Sequence, residues 1–446
     1  MLRNLDLVGK VDETQLMAVL HFIDKAFARG IRVNVALMED YNKPPYGNLD
    51  VLEKIVLPHY SEEELSTLPP HRRRFLVERR LLKSAYDRYR DEDSIRCQED
   101  FLRQLIPLLA TREGIFCYEY ENEMTQQALP YITRLAKLIR SLDPHTLLLV
   151  NPHPVSWPMP LAWRDAPIDL FCDHPYVSGQ DGADRGAAIL LRAKWCLASR
   201  KTALTGEGGL FTSWRWHRPC DVPLDLCLPE ARRAARDHTW MSLSAGLAGT
   251  MHWTVDLACE PEELGRPAEA LRQLGADLRT FRRRQADVAL VMPDSSQQNA
   301  QALDLTFQLL QRGVSFDAVP DDEADAYRAS VRADETSPAV LDALPALARP
   351  LPGYQTSALR SADGQTLIYL RNTAGVHLPA EPYNGPRDVT RTIAPVQPGL
   401  TLAPDVTFTE ARAYDLDDAR LVTLRRDGQR LTLPTPSTHD FVLYLK

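Results

Sequence analysis

The chain has 446 residues, 44% hydrophobic and 25% charged, with a formal net charge of -8. These totals describe a soluble globular protein too long for one ordinary domain. They exclude nucleic-acid binding by bulk charge, and no apolar run reaches the roughly 20 residues of a membrane span. The first residues, Met1 to Asp6, carry no apolar h-region, which sets the expectation of a cytoplasmic protein. The 7 cysteines are scattered and include no Cys-x-x-Cys pair, so a reducing compartment without a disulfide framework is expected.

Taken in order, the chain alternates helical and strand patterns. Asp12 to Arg29 carries Leu16, Val19, Leu20, Ile23 and Phe27 at helical spacing, and Gly30 closes it as a C′ glycine. A strand is predicted over Ile31 to Met38, ending in Glu39-Asp40-Tyr41-Asn42. Pro44 to about Asp93 is long and charged, and Arg72-Arg73-Arg74 and Arg79-Arg80 read as a solvated helix face. A helix over Ser94 to Leu109 feeds an apolar run, Gly114 to Tyr120, that ends in Glu121-Asn122-Glu123. Helices follow at Gln127 to Leu142, Asp184 to Ser199, Glu230 to Ala245 and Glu262 to Arg282. Between them lie strands at Leu147 to Asn151, Ile168 to Cys172, Thr202 to Thr205 and Gly249 to Trp253. This rhythm implies parallel βαβ units whose polar strand ends gather on one face, as in a (β/α)8 barrel.

Beyond the predicted barrel, at residues 1–283, the strand-helix-strand pattern of 286–319 forms one βαβ unit within a segment 284–335. Residues 335–353 are proline-rich and read as a linker. From 354 to 446 the pattern becomes period-two strands, with Asp427-Gly428 as a hairpin turn, and predicts an antiparallel β-sandwich.

Four strand ends carry chemistry, in this order: Asn122-Glu123, His174-Pro175-Tyr176, Glu207 within Gly206-Glu207-Gly208-Gly209, and Trp253. Together they resemble the clan A glycoside hydrolases, the retaining (β/α)8-barrel enzymes that include family 5 and family 42. The resemblance covers residues 1 to about 283. It implies that Glu123 is the acid/base and Glu207, three strands later, the nucleophile of a β-glycosidase. Asn122 would donate to the sugar 2-hydroxyl, or else be a turn asparagine. His174 would line the sugar site, Tyr176 would bond the nucleophile, and Trp253 would lie under the pyranose ring or pack in the core. No metal, cofactor, nucleic acid or membrane is called for; the partner is a carbohydrate substrate. The clan makes its Asn-Glu strand the fourth and places an Arg at the end of the second. The first two βα units and that Arg have no counterpart here, so the expected barrel is N-terminally incomplete. The 286–319 unit resembles the domain after the barrel in family 42 β-galactosidases, which would imply a homo-oligomer.

Of the other acids, Glu121 is expected to turn outward after a strand ending near Tyr120, and Glu119 to bond an Arg or His. Asp40, Asn42, Asn151 and His153 are weaker sugar-binding candidates. Two other classes stay open: a metal-dependent sugar isomerase with Glu123, Asp173, His174 and Glu207 as ligands, and a non-catalytic sugar-binding remnant of the barrel.

Overall fold

The computed structural model describes residues 11, 13–38, 46–47, 61–74, 86–87, 89–124, 128–153, 155–175, 185–207, 224–251, 261–281, 286–292, 299–334, 337–374 and 395–446. The chain divides into two units, Met1–Pro154 with Ala162–Cys172, and Val155–Leu161 with Asp173–Lys446. Each is taken by itself.

In the first unit, helix Glu13–Phe27 buries Leu16, Leu20 and Ile23 on one face. The chain turns at Gly30, whose φ of 77° is the left-handed conformation expected of it. Strand Val33–Met38 then pairs in parallel with Ile115–Glu121, with Val35 opposite Tyr118 and Met38 opposite Glu121. Helix Glu92–Leu109 leads into the second strand. Its N-cap, Asp91, accepts from the Ser94 backbone N–H at 2.9 Å. Helix Leu129–Leu142 and strand Leu147–Val150 follow. Cys117 stands opposite Leu147, and Glu119 opposite Leu149. Strand Leu170–Asp173 pairs next, with Leu149 opposite Leu170. All these pairings are parallel, as the predicted βα rhythm requires.

The strand Ile115–Glu121 is buried on both faces, Phe116 excepted. Glu121 therefore does not turn outward: the strand runs through it, and the residue is only 1% exposed. Of the basic run, Arg72 bonds Asp100 at 3.1 Å, and Arg74 bonds Asp93 at 2.9 and 2.6 Å. Arg73 and Arg74 are exposed, in keeping with a solvated face. Arg79 and Arg80 lie outside the described residues.

The second unit takes in the chain from Asp173 onward, with Val155–Leu161. The Asp173 carbonyl accepts from the Gly206 N–H at 2.8 Å, just past strand Thr202–Thr205. Helix Arg185–Ala198 is buried almost all round. Thr205 forms a parallel bridge to Thr250, where the 249–253 strand was expected; residues after Met251 lie outside the described ones. Helix Leu224–Ala245 sends Asp237 to Arg371 (2.8 and 3.0 Å) and to the Tyr369 hydroxyl (3.0 Å), all fully buried.

Two expectations are corrected here. The βαβ segment has a third parallel strand, Ala329–Arg332, which pairs with the far side of Val288–Val291 from Phe316–Val319. It escaped sequence reading because it is a short edge strand with only Val331 buried. Residues 335–353 are not simply a linker: they hold helix Pro338–Ala343, with Pro at its start, and strand Ala348–Pro350. That strand belongs to an antiparallel sheet with Gly399–Leu402, Arg430–Thr432 and Arg425–Asp427. A second antiparallel sheet contains Tyr354–Arg360, Thr366–Asn372, Phe441–Leu445, Ala411–Asp415 and Arg420–Val422. One apolar cluster draws on both sheets, including Leu400 and Leu431 from the first and Ile368 and Leu443 from the second. The predicted hairpin is present: Asp427 pairs with Arg430 across a turn in which Gly428 has a φ of 56°.

Cys97, Cys117, Cys172 and Cys196 are buried. No described helix is long and apolar enough to cross a membrane.

Candidate active site

The parallel register brings three strands of the first unit to a common edge. Met38 lies opposite Glu121, and Asn151 follows directly on Val150. At that edge the chain from Asn122 to Met124 runs beside Asn151 to His153. The Met124 N–H donates to the Asn151 carbonyl at 3.0 Å, and the His153 N–H to the Met124 carbonyl at 2.9 Å.

Side chains brace the same turn. The Asn151 amide, with no exposure, donates to Asn122 Oδ1 and to Glu119 Oε1, each at 3.3 Å. The other Glu119 oxygen accepts from Asn34 at 2.6 Å. Glu119 thus accepts from two amides. Asn34 in turn accepts from the Cys117 thiol at 3.2 Å. Burial, with the Glu119 charge adding to it, raises the Cys117 pKa, so the sulfur keeps the proton it donates.

Asn122 accepts through its oxygen, so its amide nitrogen is not used in that bond. Glu123 stands next to it with a φ of 55°, one of three non-glycine residues among the described ones in left-handed backbone. Such a residue is strained, and it persists because the bonds on either side over-determine the turn. The Glu123 side chain is 37% exposed, and its Oε1 lies 3.8 Å from His153 Nδ1. It is a carboxyl held on a rigid edge and open to solvent.

In the second unit, Asp173 and His174 leave the strand Leu170–Asp173, and Glu207 follows Thr202–Thr205 by two residues. His174 Nδ1 lies 3.4 Å from Glu207 Oε2, with the two side chains 3% and 15% exposed. His174 is fixed from behind by Arg192 of helix Arg185–Ala198. The guanidinium bonds both Asp173 oxygens, at 2.8 and 2.6 Å, and donates to the His174 carbonyl at 3.3 Å. Asp173 is therefore engaged by a cation, which argues against it as a metal ligand. One residue before Gly206, Thr205 Oγ1 lies 3.1 Å from His238 Nε2.

The predicted Asn122 and Glu123 thus share one turn, and His174 and Glu207 share one contact. Tyr176 and Trp253 lie outside the described residues, as do Asp40 and Asn42. Asn151 and His153 lie beside Asn122 and Glu123. Sequence reading missed Asn34 and Arg192. Arg192 had a signal: with Lys194 it is one of two charged residues inside an otherwise apolar helical run, Ile189 to Leu197, and such residues need partners when that helix is buried.

No family model and no curated protein matches the chain. Several solved structures are similar to it. GH5_18 from Streptomyces cattleya, in complex with GlcNAc, is 17% identical; the match covers 71% of this chain and 93% of that one, with a TM-score of 0.44. A GH5_18 from Bifidobacterium longum subsp. infantis is 12% identical, over 75% of this chain and 86% of that one, with a TM-score of 0.49. Endo-glycoceramidase II from Rhodococcus sp. is 12% identical, over 98% of this chain and 85% of that one, with a TM-score of 0.38. These are likenesses of backbone trace at low identity.

Proposed function

We propose that the chain is a glycoside hydrolase on a (β/α)8-type scaffold that cleaves β-glycosidic bonds with retention. The observation that supports this most is local to Glu123. A solvent-open carboxyl on strained backbone at a strand end, in a turn whose preceding residue Asn122 is held by Asn151, is a group held for chemistry rather than for folding.

In this reading Glu123 protonates the leaving oxygen while Glu207 attacks the anomeric carbon. The proton passes to the aglycone, and the glycosyl group becomes an ester of Glu207. Water then attacks the anomeric carbon and gives its proton to Glu123; the Glu207 ester breaks and the sugar leaves. Asn122 donates its amide N–H to the 2-hydroxyl. His174 orients Glu207 and lines the sugar site. Tyr176 bonds the nucleophile, and Trp253 offers a flat apolar surface to the ring. The substrate is a β-linked carbohydrate, and the chemistry needs no metal or cofactor.

The test is the intact mass of the chain after incubation with activated 2-deoxy-2-fluoro β-glycosides of gluco, galacto and manno configuration. A one-sugar gain that Glu207→Gln abolishes is the expected result, and it also names the sugar. No gain with any sugar, in protein folded by circular dichroism, would overturn the hydrolase and favour a sugar-binding remnant.

A further inference from the structure

Glu207 follows one end of strand Thr202–Thr205; the other end opens on a cavity of about 510 Å³. Small-molecule sites fall at roughly 300–1,000 Å³ and combine an apolar lining with a few polar groups. The floor here is apolar: Leu197, Leu243, Leu247 and Phe281 line it, and all four are buried. The charged lining has a single sign. Arg200, Lys201 and Arg279 border the cavity, and no carboxylate is among its described lining residues. In a chain of net charge -8 that runs against the average.

Acidic neighbours are present. Arg200 pairs with Glu323 at 3.1 Å and Arg279 with Asp277 at 2.6 Å, but the arginine side chains are 64% and 90% exposed. Exposed pairs of this kind contribute little, so an incoming anion can exchange with them. Arg200 also sits in left-handed backbone, at φ 59°, just after helix Arg185–Ala198. Glycine fills such a position without strain, so the backbone gives no reason for an arginine there.

We propose that this cavity binds a small amphipathic anion, an apolar aromatic or aliphatic body bearing a phosphate or carboxylate. The floor takes the body and the three cations take the charge. The site is separate from Glu123 and Glu207, and the proposal stands whether or not the chain hydrolyses glycosides.

The test is isothermal titration calorimetry of the full chain with 1-naphthyl phosphate, beside 1-naphthol and inorganic phosphate. Ala248 lines the cavity and is exposed, so Ala248→Trp fills it from outside without touching the core. The expected result is one saturable site for 1-naphthyl phosphate that Ala248→Trp abolishes. With each exposed charge worth about two- to threefold, Arg200→Ala/Lys201→Ala/Arg279→Ala together weaken binding about tenfold, and 1-naphthol binds weaker to a similar degree. Absence of saturable heat overturns the proposal. So does 1-naphthol or inorganic phosphate binding as tightly as the ester, or wild-type affinity in Ala248→Trp.

Discussion

Asn151 is the residue on which the Glu123 turn depends, and two substitutions test that. Asn151→Ala removes two hydrogen bonds, each of 3.3 Å, to Glu119 and Asn122. Bonds that long are worth about 1 kcal/mol each, and the vacated space adds about 1 more, so the loss is about 2–3 kcal/mol. For a unit of this size that lowers Tm by roughly 5–10 °C. Asn151→Asp keeps the shape but sets a second carboxylate about 3.3 Å from Glu119, where Coulomb repulsion at an effective dielectric near 20 is about 5 kcal/mol. The pair relieves this by holding a proton, so one carboxyl has a folded pKa raised above its unfolded value. Stability tied to that proton is present at low pH and is lost as pH rises through the raised value. Asn151→Asp is therefore about 2–3 kcal/mol less stable than Asn151→Ala at pH 7 and approaches it near pH 4.5. Urea denaturation followed by the fluorescence of the fully buried Trp163 gives both numbers. If the aspartate variant matches the alanine variant at pH 7, or its deficit does not shrink on acidification, the bracing of Glu119 by Asn151 is refuted.

Glu123→Gln lowers kcat by about 10²–10⁴, and less for substrates whose leaving group needs no proton; equal losses for aryl and alkyl glycosides would remove it as the acid. Asp237→Ala strands Arg371, which is 1% exposed, and destabilises by about 3–5 kcal/mol. Asp237→Leu/Arg371→Met recovers most of that in thermal denaturation. His439 is pulled down by burial, but its bond to Asp415 and the charges of Asp415, Asp417 and Asp418 outweigh this and raise its pKa above 6.5. Its contribution is fully present below the unfolded value and disappears as pH rises through the folded one. The stability gap between the wild type and His439→Gln, measured in urea from pH 5 to about 9, should therefore narrow with pH. A gap that widens contradicts the pairing.

What the sequence made legible follows from what each residue had to do. The strands Ile115–Glu121 and Thr202–Thr205 were legible because short apolar and β-branched runs set between helical patterns read as buried parallel strands. Glu121 was misread because outward turning was inferred from charge and period-two spacing. In a parallel strand buried on both faces that alternation carries no information. Helix Glu92–Leu109 starts two residues before the predicted Ser94, because the acids Asp91 and Glu92 serve as cap and first turn. Pro338 and Pro350 suggested a linker. One opens a helix and the other closes an edge strand, positions where a missing N–H does little harm. Asn34 and Arg192 gave weak signals because their importance lies in whom they meet, and the pairs Asn34–Glu119 and Arg192–Asp173 are 85 and 19 residues apart in the chain.

The left-handed backbone at Glu123 sets folding and chemistry against each other at a single codon. Asparagine adopts that conformation far more readily than glutamate. A Glu123→Asn change would relax the turn and remove its carboxyl. Selection for stability alone would therefore tend to erase this residue, and only selection for what it does would keep it. A laboratory population evolved for thermal tolerance, with no demand for activity, should lose Glu123 early.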